Sequence, residues 1–225
     1  MKNQQMTGNN KKSAYLTLIG MVIMILLTVT KVVPSSNIAG YAMFVGIAFF
    51  FMTEAVGKTR GSESGLRFNT IAADLKKPGV MIWMLLPCVS GIATLVVGNL
   101  IFSGEFVAHV IGRTGSILSF DKIVLLIGQV IIAAFGEEIA FRGFFFGKSS
   151  KLLPVWVCAV VSSAVFAAGH IAAGNTGIVA YDIATIFIDS LIFSVIYHKS
   201  GNCVISTLSH ILANAISLVT AFVFF

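Results

Sequence analysis

Charged residues are scarce in this chain: they make up 11% of its 225 residues, against about a quarter in an ordinary soluble domain. Hydrophobic residues make up 57%. The longest polar stretch, residues 57–79, is too short to fold as a soluble domain. The composition therefore excludes a soluble globular protein and indicates one polytopic membrane domain.

Cysteine is scarce as well. The three cysteines, Cys88, Cys158 and Cys203, fall in three different apolar segments and form no C-x-x-C pair. Buried free thiols behave as small apolar side chains. We therefore interpret all three as buried apolar residues.

Apolar runs of about twenty residues recur along the chain, and each is long enough to cross a hydrocarbon core about 30 Å thick. The first run resembles a signal peptide, but it ends in "TKVVPSS" without a small-x-small cleavage site, so we interpret it as a retained span. The predicted fold class is an all-α, polytopic integral membrane bundle of about seven transmembrane helices, with eight also compatible. The predicted spans are 14–33, 38–56, 79–102, 123–146, 153–173, 178–197 and 203–225.

The basic residues divide unevenly between the two sides of these spans. If the N-terminus is inside, eleven lie inside and three outside, as the positive-inside rule expects. The sequence thus predicts a multi-pass protein of a bacterial cell membrane, with a cytoplasmic N-terminus and an outer C-terminus. The inner set is Lys2, Lys11, Lys12, Lys58, Arg60, Arg67, Lys76, Lys77, Lys148, Lys151 and Lys199, and the outer set is Lys31, Arg113 and Lys122.

Two longer connections separate the spans. Residues 66–75 place apolar side chains at near-helical spacing among charged ones, which fits a short amphipathic helix on the inner surface, with a solvated loop as the alternative. Segment 103–122 is expected to cover part of the protein from outside. Because intramembrane polar residues cluster in the last four spans, we divide the chain into scaffold spans with a cytoplasmic interfacial segment, 1–122, and a catalytic core of four helices, 123–225.

Three charges interrupt the fourth span in the stretch "EEIAFR", residues 137–142. Each charge at the centre of a bilayer costs about 2.5–3.5 kcal/mol on insertion scales. Glu138 and Arg142 share a helix face and can pair, whereas Glu137 points about a quarter-turn away. Because two carboxylates exceed what one arginine needs for neutralisation, we favour a functional role over a purely structural ion cluster.

Two histidine motifs occur in later spans. In "FAAGH", Phe166 can pack against His170, and in "HILAN", His210 and Asn214 share a helix face. Each motif alone also fits helix-to-helix packing. Together with Glu137 they supply a general base, a proton partner and oxyanion donors, which suit hydrolysis of an amide by activated water.

Zinc is the alternative chemistry, with Glu137, His170 and His210 as its ligands. These residues lie on three helices without an H-E-x-x-H pair, so their spacing gives zinc little support. We predict no metal and no cofactor.

The motifs "EEIAFR", "FAAGH" and "HILAN", in this order, resemble the three signature motifs of the CPBP family. That family includes type II CAAX prenyl endopeptidases and bacteriocin-processing or self-immunity membrane proteins. The resemblance covers residues from about 120 to 217, including the approach "HKSGNCVISTLSH" to the third motif. It implies a metal-independent glutamate endopeptidase inside the membrane, which we expect to cleave near the cytoplasmic face.

For the individual positions that match these motifs, the resemblance implies that Glu137 and His170 activate the attacking water. It implies that His210 and Asn214 form the oxyanion site. The supporting residues are Glu138, Arg142 and Phe166. The expected partners are the lipid bilayer and a peptide or protein substrate, lipidated or not; nothing indicates nucleic acid.

Several questions stay open from the sequence. Prenylated CAAX proteins, peptide pheromones, bacteriocin precursors and membrane regulators are all candidate substrates. A non-catalytic self-immunity or regulatory protein that binds a partner is the alternative function, and a proton-coupled transporter is a third. Asp182 and Asp189 share a face of the sixth span, where they either line a cavity or tie helices together.

Overall fold

The computed structural model describes residues 8–30, 40–58, 64–115 and 118–225. Within these ranges the chain is all-α, with nine helices and no strand. The helices are α1 (Gly8–Val29), α2 (Tyr41–Gly57), α3 (Ile71–Leu75), α4 (Val80–Ile101), α5 (Glu105–Gly115), α6 (Ile123–Ser149), α7 (Val155–Ala168), α8 (Thr176–Ser200) and α9 (Cys203–Phe224).

Five of these helices are long and apolar enough to cross a membrane: α1, α4, α6, α8 and α9. The apolar helices α2 and α7 are shorter, at 17 and 14 residues. Large apolar side chains face outward, such as Val124 and Ile132, which are 82% and 72% exposed. Such surfaces suit lipid rather than water, and the chain is a multi-pass integral membrane protein.

The count of seven spans and the side of each terminus remain predictions. Reporter fusions at residue 150 and residue 225 should report opposite sides of the membrane, with residue 150 inside, because the basic residues favour that orientation. Alkaline phosphatase and green fluorescent protein fusions at each position would measure this. Finding both positions on one side would contradict the seven-span topology.

The fifth predicted span, 153–173, is too long. Helix α7 ends at Ala168, so His170 lies in the turn between α7 and α8 rather than within a helix. The side chain of Asn175 then caps α8 by accepting hydrogen bonds from the backbone N–H groups of Gly177 and Ile178. Apolar residues continue through the turn, and hydropathy therefore did not reveal where the helix ends.

Both long connections also differ from expectation. The interfacial segment is helical only over α3, five residues rather than the ten of 66–75. Segment 103–122 contains α5, a helix that was not predicted. Helix α5 packs against α8 through Phe106, whose ring lies 5.1 Å from that of Tyr181.

A polar network joins α3 to the turn between α8 and α9. Asp74 pairs with Arg67 at 3.2 Å and with Lys77 at 2.7 Å, and it accepts a hydrogen bond from the side chain of Asn202 at 2.9 Å. Burial raises the pKa of Asp74, but the hydrogen bonds from Lys77, Thr70 and Asn202 and the charge of Arg67 outweigh it, so this pKa lies well below its usual range. The network therefore stays ionised and intact at neutral pH.

We call the end of the bundle that carries this network the lysine-rich end, because Lys58, Lys76, Lys148 and Lys199 lie there. Lys148, at this end of α6, pairs with Glu54 of α2. Gly143 and Gly147 of α6 allow close packing against the neighbouring helices. A Cβ on Gly143 would lie 2.7 Å from Cys203 Sγ of α9, and one on Gly147 would lie 2.5 Å from the Tyr197 hydroxyl of α8.

Candidate active site

The first motif lies on an unusual segment of α6. Residues Glu138–Phe146 form a π-helix of nine residues, between the α-helical segments Ile123–Glu137 and Gly147–Ser149. The wider turn changes the directions of the side chains. The Phe141 carbonyl within it accepts a hydrogen bond from Ser162 of α7 at 3.1 Å. π-Helical turns are rare and occur frequently at functional sites. The sequence carried no signal for this segment.

Glu138 and Arg142 form an ion pair with no exposed side-chain surface. Arg142 Nη1 lies 3.2 Å from Glu138 Oε1. The other guanidinium nitrogen, Nη2, donates to the hydroxyl and the carbonyl of Ser190 on α8, at 2.7 and 3.1 Å. The predicted pairing is therefore present, and it links α6 to α8.

Two aromatic rings enclose the Arg142 guanidinium. Its Cζ lies 4.6 Å from the ring centre of Phe166 and 5.3 Å from that of Phe193. Cation–π contacts of this kind are worth about 2 kcal/mol or more when water is excluded. Phe166 thus supports the motif through Arg142 as well as through His170.

His210 connects the two carboxylates of the first motif. Its Nδ1 lies 3.0 Å from Glu138 Oε1 and its Nε2 lies 3.8 Å from Glu137 Oε2. An ionised carboxylate can only accept, so Nδ1 carries a proton and the Glu138 bond orients the ring. Phe193 stacks on the imidazole with ring centres 4.6 Å apart.

His170 packs against Phe166, the neighbour that the motif "FAAGH" predicted. The Phe166 ring lies 4.7 Å from the imidazole, and the Phe166 carbonyl lies 2.9 Å from Nδ1. A carbonyl can only accept, so Nδ1 donates and Nε2 is left for another partner. The turn after α7 therefore leaves the Nε2 edge of the His170 ring available to another partner.

One cavity of about 1050 Å³ brings the four proposed catalytic residues together. Glu137, His170, His210 and Asn214 all line it, whereas Glu138 and Arg142 do not. The Glu137 side chain is 23% exposed and that of Glu138 is fully buried. The adjacent glutamates thus occupy different environments: one faces the cavity and the other anchors His210.

Zinc is the alternative chemistry that the sequence left open for Glu137, His170 and His210. Among the residues that the structure describes, no three His, Cys, Asp or Glu side chains converge closely enough to hold an ion. We derive no step through a metal.

The structure adds residues that sequence reasoning missed. Phe193 and Ser190 lie on α8 outside every motif. The one sequence signal that could have indicated them is their spacing of three residues, which places both on one helix face. Asp182 both lines the cavity and ties helices together, because Arg113 Nε of α5 lies 2.9 Å from its Oδ2 and His109 Nε2 lies 3.3 Å away. Asp189 lines the same cavity.

Comparison with known families matches residues 118–216 to the Type II CAAX prenyl endopeptidase Rce1-like family. Residues 118–216 form an Rce1-like domain. The match begins before α6 and ends within α9, so it includes all three motifs and confirms the predicted CPBP resemblance. No curated protein and no solved structure matches the chain. An Rce1-like domain in a multi-pass membrane protein indicates an intramembrane peptidase.

Proposed function

We propose that the chain is a metal-independent glutamate endopeptidase that hydrolyses a peptide bond inside its membrane-embedded cavity. One observation carries this proposal: Glu137, His170, His210 and Asn214 line the same cavity although they come from three separate motifs. A carboxylate, two imidazoles and an amide around one space supply a base, a proton carrier and hydrogen-bond donors for amide hydrolysis.

In this mechanism Glu137 accepts a proton from the attacking water. Its side chain is the partly exposed carboxylate of the motif, so water can reach it. His170 Nε2 faces the same cavity and positions the water or passes its proton on. The electron pair of the water oxygen then forms a bond to the peptide carbon. When the tetrahedral intermediate collapses, the C–N bond breaks and the leaving amine takes up the proton that Glu137 accepted.

Asn214 and His210 stabilise the oxygen that becomes negative in the tetrahedral intermediate. The Asn214 amide offers N–H donors regardless of pH. His210 contributes through Nε2 when its ring carries both protons, and the hydrogen bond from Nδ1 to the Glu138 carboxylate fixes the orientation of the ring. Glu138, Arg142, Phe166 and Phe193 act as positioning residues for this histidine.

The direct test is cleavage of a peptide library by the purified protein in detergent. The library should contain CAAX-type, pheromone-type and bacteriocin-type sequences, each with and without a lipid group, because the family spans these substrate classes. Mass spectrometry of the products locates the cleaved bond. Glu137→Gln protein is the matched control, and products that appear equally with this variant would come from a contaminating protease. If no peptide is cleaved while a partner still binds, the non-catalytic immunity or regulatory function would replace this proposal.

Removal of divalent ions should leave cleavage unchanged, because every step uses side chains alone. The measurement is the initial rate after treatment with EDTA and with 1,10-phenanthroline, and a zinc protease treated in parallel controls for complete chelation. Loss of activity that zinc alone restores would assign Glu137, His170 and His210 as ligands instead.

A further inference from the structure

Two aspartates of α8, Asp182 and Asp189, line the site cavity. They lie seven residues apart, so they share a helix face and are about 10 Å from each other along the helix axis. Asp182 is paired with Arg113 and His109 of α5. Within the described ranges, no ion pair involves Asp189. The two carboxyl groups therefore differ: one is neutralised by neighbouring side chains, and the other lies on the cavity wall without a paired cation in the part of the chain that the structure describes.

The described residues also supply few hydrogen bonds to the Asp189 carboxyl. Its Oδ1 accepts no hydrogen bond from any residue that the structure describes. Ser90 of α4 is close enough to donate one hydrogen bond to the carboxyl. A carboxylate has about four acceptor positions, and an ionisable side chain within a membrane-spanning helix is costly and commonly functional. The helix thus carries a costly acceptor whose capacity the fold does not fill.

Asp189 is close to the proposed catalytic groups. Phe193, four residues further along α8, stacks on His210 with ring centres 4.6 Å apart. Residues at i and i+4 lie on one helix face, with Cβ atoms about 5–6 Å apart. The next residue in the chain, Ser190, accepts a hydrogen bond from Arg142. Asp189 therefore lies on the cavity wall one helical turn from the residue that contacts His210.

A peptide in this cavity carries donors that match this acceptor. One helical turn is about 5.4 Å long, and an extended peptide advances about 3.3–3.6 Å per residue. A peptide that runs along α8 from a scissile bond at His210 therefore passes Asp189 within about two residues of that bond. Its N–H groups lose water in the cavity and need acceptors there. Because the terminal torsion of an aspartate side chain is broad, either carboxyl oxygen can turn toward the peptide.

We propose that Asp189 is a substrate-binding residue, whose carboxyl accepts a hydrogen bond from an N–H group of the substrate within about two residues of the cleaved bond. This inference rests on the proposed endopeptidase function and describes how that site holds a peptide. The N–H group belongs either to the peptide backbone or to a basic side chain, since both offer the same donor chemistry. Asp189 makes no bond to a reacting atom and positions the substrate.

Peptide binding is the first measurement, because it does not require cleavage. The probe is the member of the peptide library described above that binds Glu137→Gln protein most tightly in detergent, labelled with a fluorophore and measured by anisotropy. Adding Asp189→Ala to this background should weaken binding about 10–100-fold, the usual effect of losing a hydrogen bond to a charged group. Asp189→Leu is a second variant in case Asp189→Ala fails to accumulate, because leucine is favoured in a membrane-spanning helix.

Two control variants separate binding from packing and from charge. Ser90→Ala removes the hydroxyl near Asp189 and leaves the carboxyl in the cavity, so it should bind the probe at the parental level. Asp121→Asn removes a carboxylate from an exposed position outside the cavity and should also bind normally. The proposal is overturned if the Asp189 variants bind as tightly as their parent, or if Ser90→Ala weakens binding equally. Absence of binding by every library peptide would overturn it as well.

Analogues of the probe identify the donor. In one series each backbone N–H is methylated in turn, and in the other each basic side chain is replaced by norleucine. One of these changes should weaken binding to protein with Asp189 and have no further effect on Asp189→Ala, because the same hydrogen bond is already absent. Asp189→Asn should retain most of the binding if the donor is a backbone N–H, since its amide oxygen still accepts, and lose it if the donor is a basic side chain. Equal effects of every analogue on both proteins would overturn the proposal.

Cleavage kinetics separate this inference from the proposed function. In otherwise unchanged protein, Asp189→Ala should raise KM more than it lowers kcat, because the hydrogen bond holds the peptide before and during the reaction. Weaker probe binding by Asp189→Ala together with absent cleavage by the parent would keep the binding residue and remove the protease. Cleavage by the parent with an unchanged KM in Asp189→Ala would keep the protease and remove the role of Asp189.

Discussion

Glu137→Gln should lower the rate of peptide cleavage by about 10²–10⁴-fold, the usual cost of losing a general base. The amide keeps the size of the side chain but cannot take a proton from water. Membrane abundance should stay at the parental level, because a neutral side chain is cheaper to bury than a carboxylate. The measurement is the initial cleavage rate per molecule of protein, with abundance read from a quantitative blot.

Glu105→Gln is the matched control, since it makes the same chemical change on an exposed residue of α5 that does not line the site cavity. It should cleave at the parental rate. If Glu137→Gln is as active and as abundant as the parent, another group activates the water or the protein acts by binding, and the mechanism proposed above is wrong.

Arg142→Ala should reduce the amount of folded protein as well as its activity. The substitution leaves the buried Glu138 carboxylate without its cation, and breaking a buried pair in this way costs about 3–5 kcal/mol. It also removes the hydrogen bonds to Ser190 and the contacts with Phe166 and Phe193. Membrane abundance and the midpoint of thermal aggregation in detergent measure the loss.

A double variant distinguishes the effect of the unpaired charge from the effect of lost packing. Arg142→Met with Glu138→Gln removes both charges and keeps much of the volume, so it should recover part of the lost abundance. Cleavage should stay low, because His210 then lacks the carboxylate that orients it. Parental abundance of Arg142→Ala alone would show that the ion pair is not needed for folding.

The motif residues were predicted from the sequence because burying charged side chains in a membrane costs free energy. Charges at Glu137, Glu138 and Arg142 stand out against apolar neighbours, and the four-residue spacing of the last two indicated the observed pair. The same reasoning identified Phe166 as the neighbour of His170. The domain boundary at residue 122 and the catalytic roles stay predictions.

The contacts of site residues that belong to no motif follow only from the tertiary structure. Phe193 is an ordinary apolar residue of α8 in the sequence, and only the packing of α8 against α6 and α9 brings it between Arg142 and His210. His109 and Arg113 belong to a connection that was not expected to be helical, yet α5 brings both to Asp182. Local periodicity carries no information on such contacts between distant segments.

The sequence by itself determined the apolar, all-α character of this protein and the residue types of its site, because burial in lipid restricts charge and backbone so strongly. Only the tertiary structure decided how those residues meet around one cavity. It places His210 of α9 with Nδ1 3.0 Å from Glu138 Oε1 and Nε2 3.8 Å from Glu137 Oε2. The cavity likewise depends on side chains from several helices that line one volume, and no single segment specifies that packing.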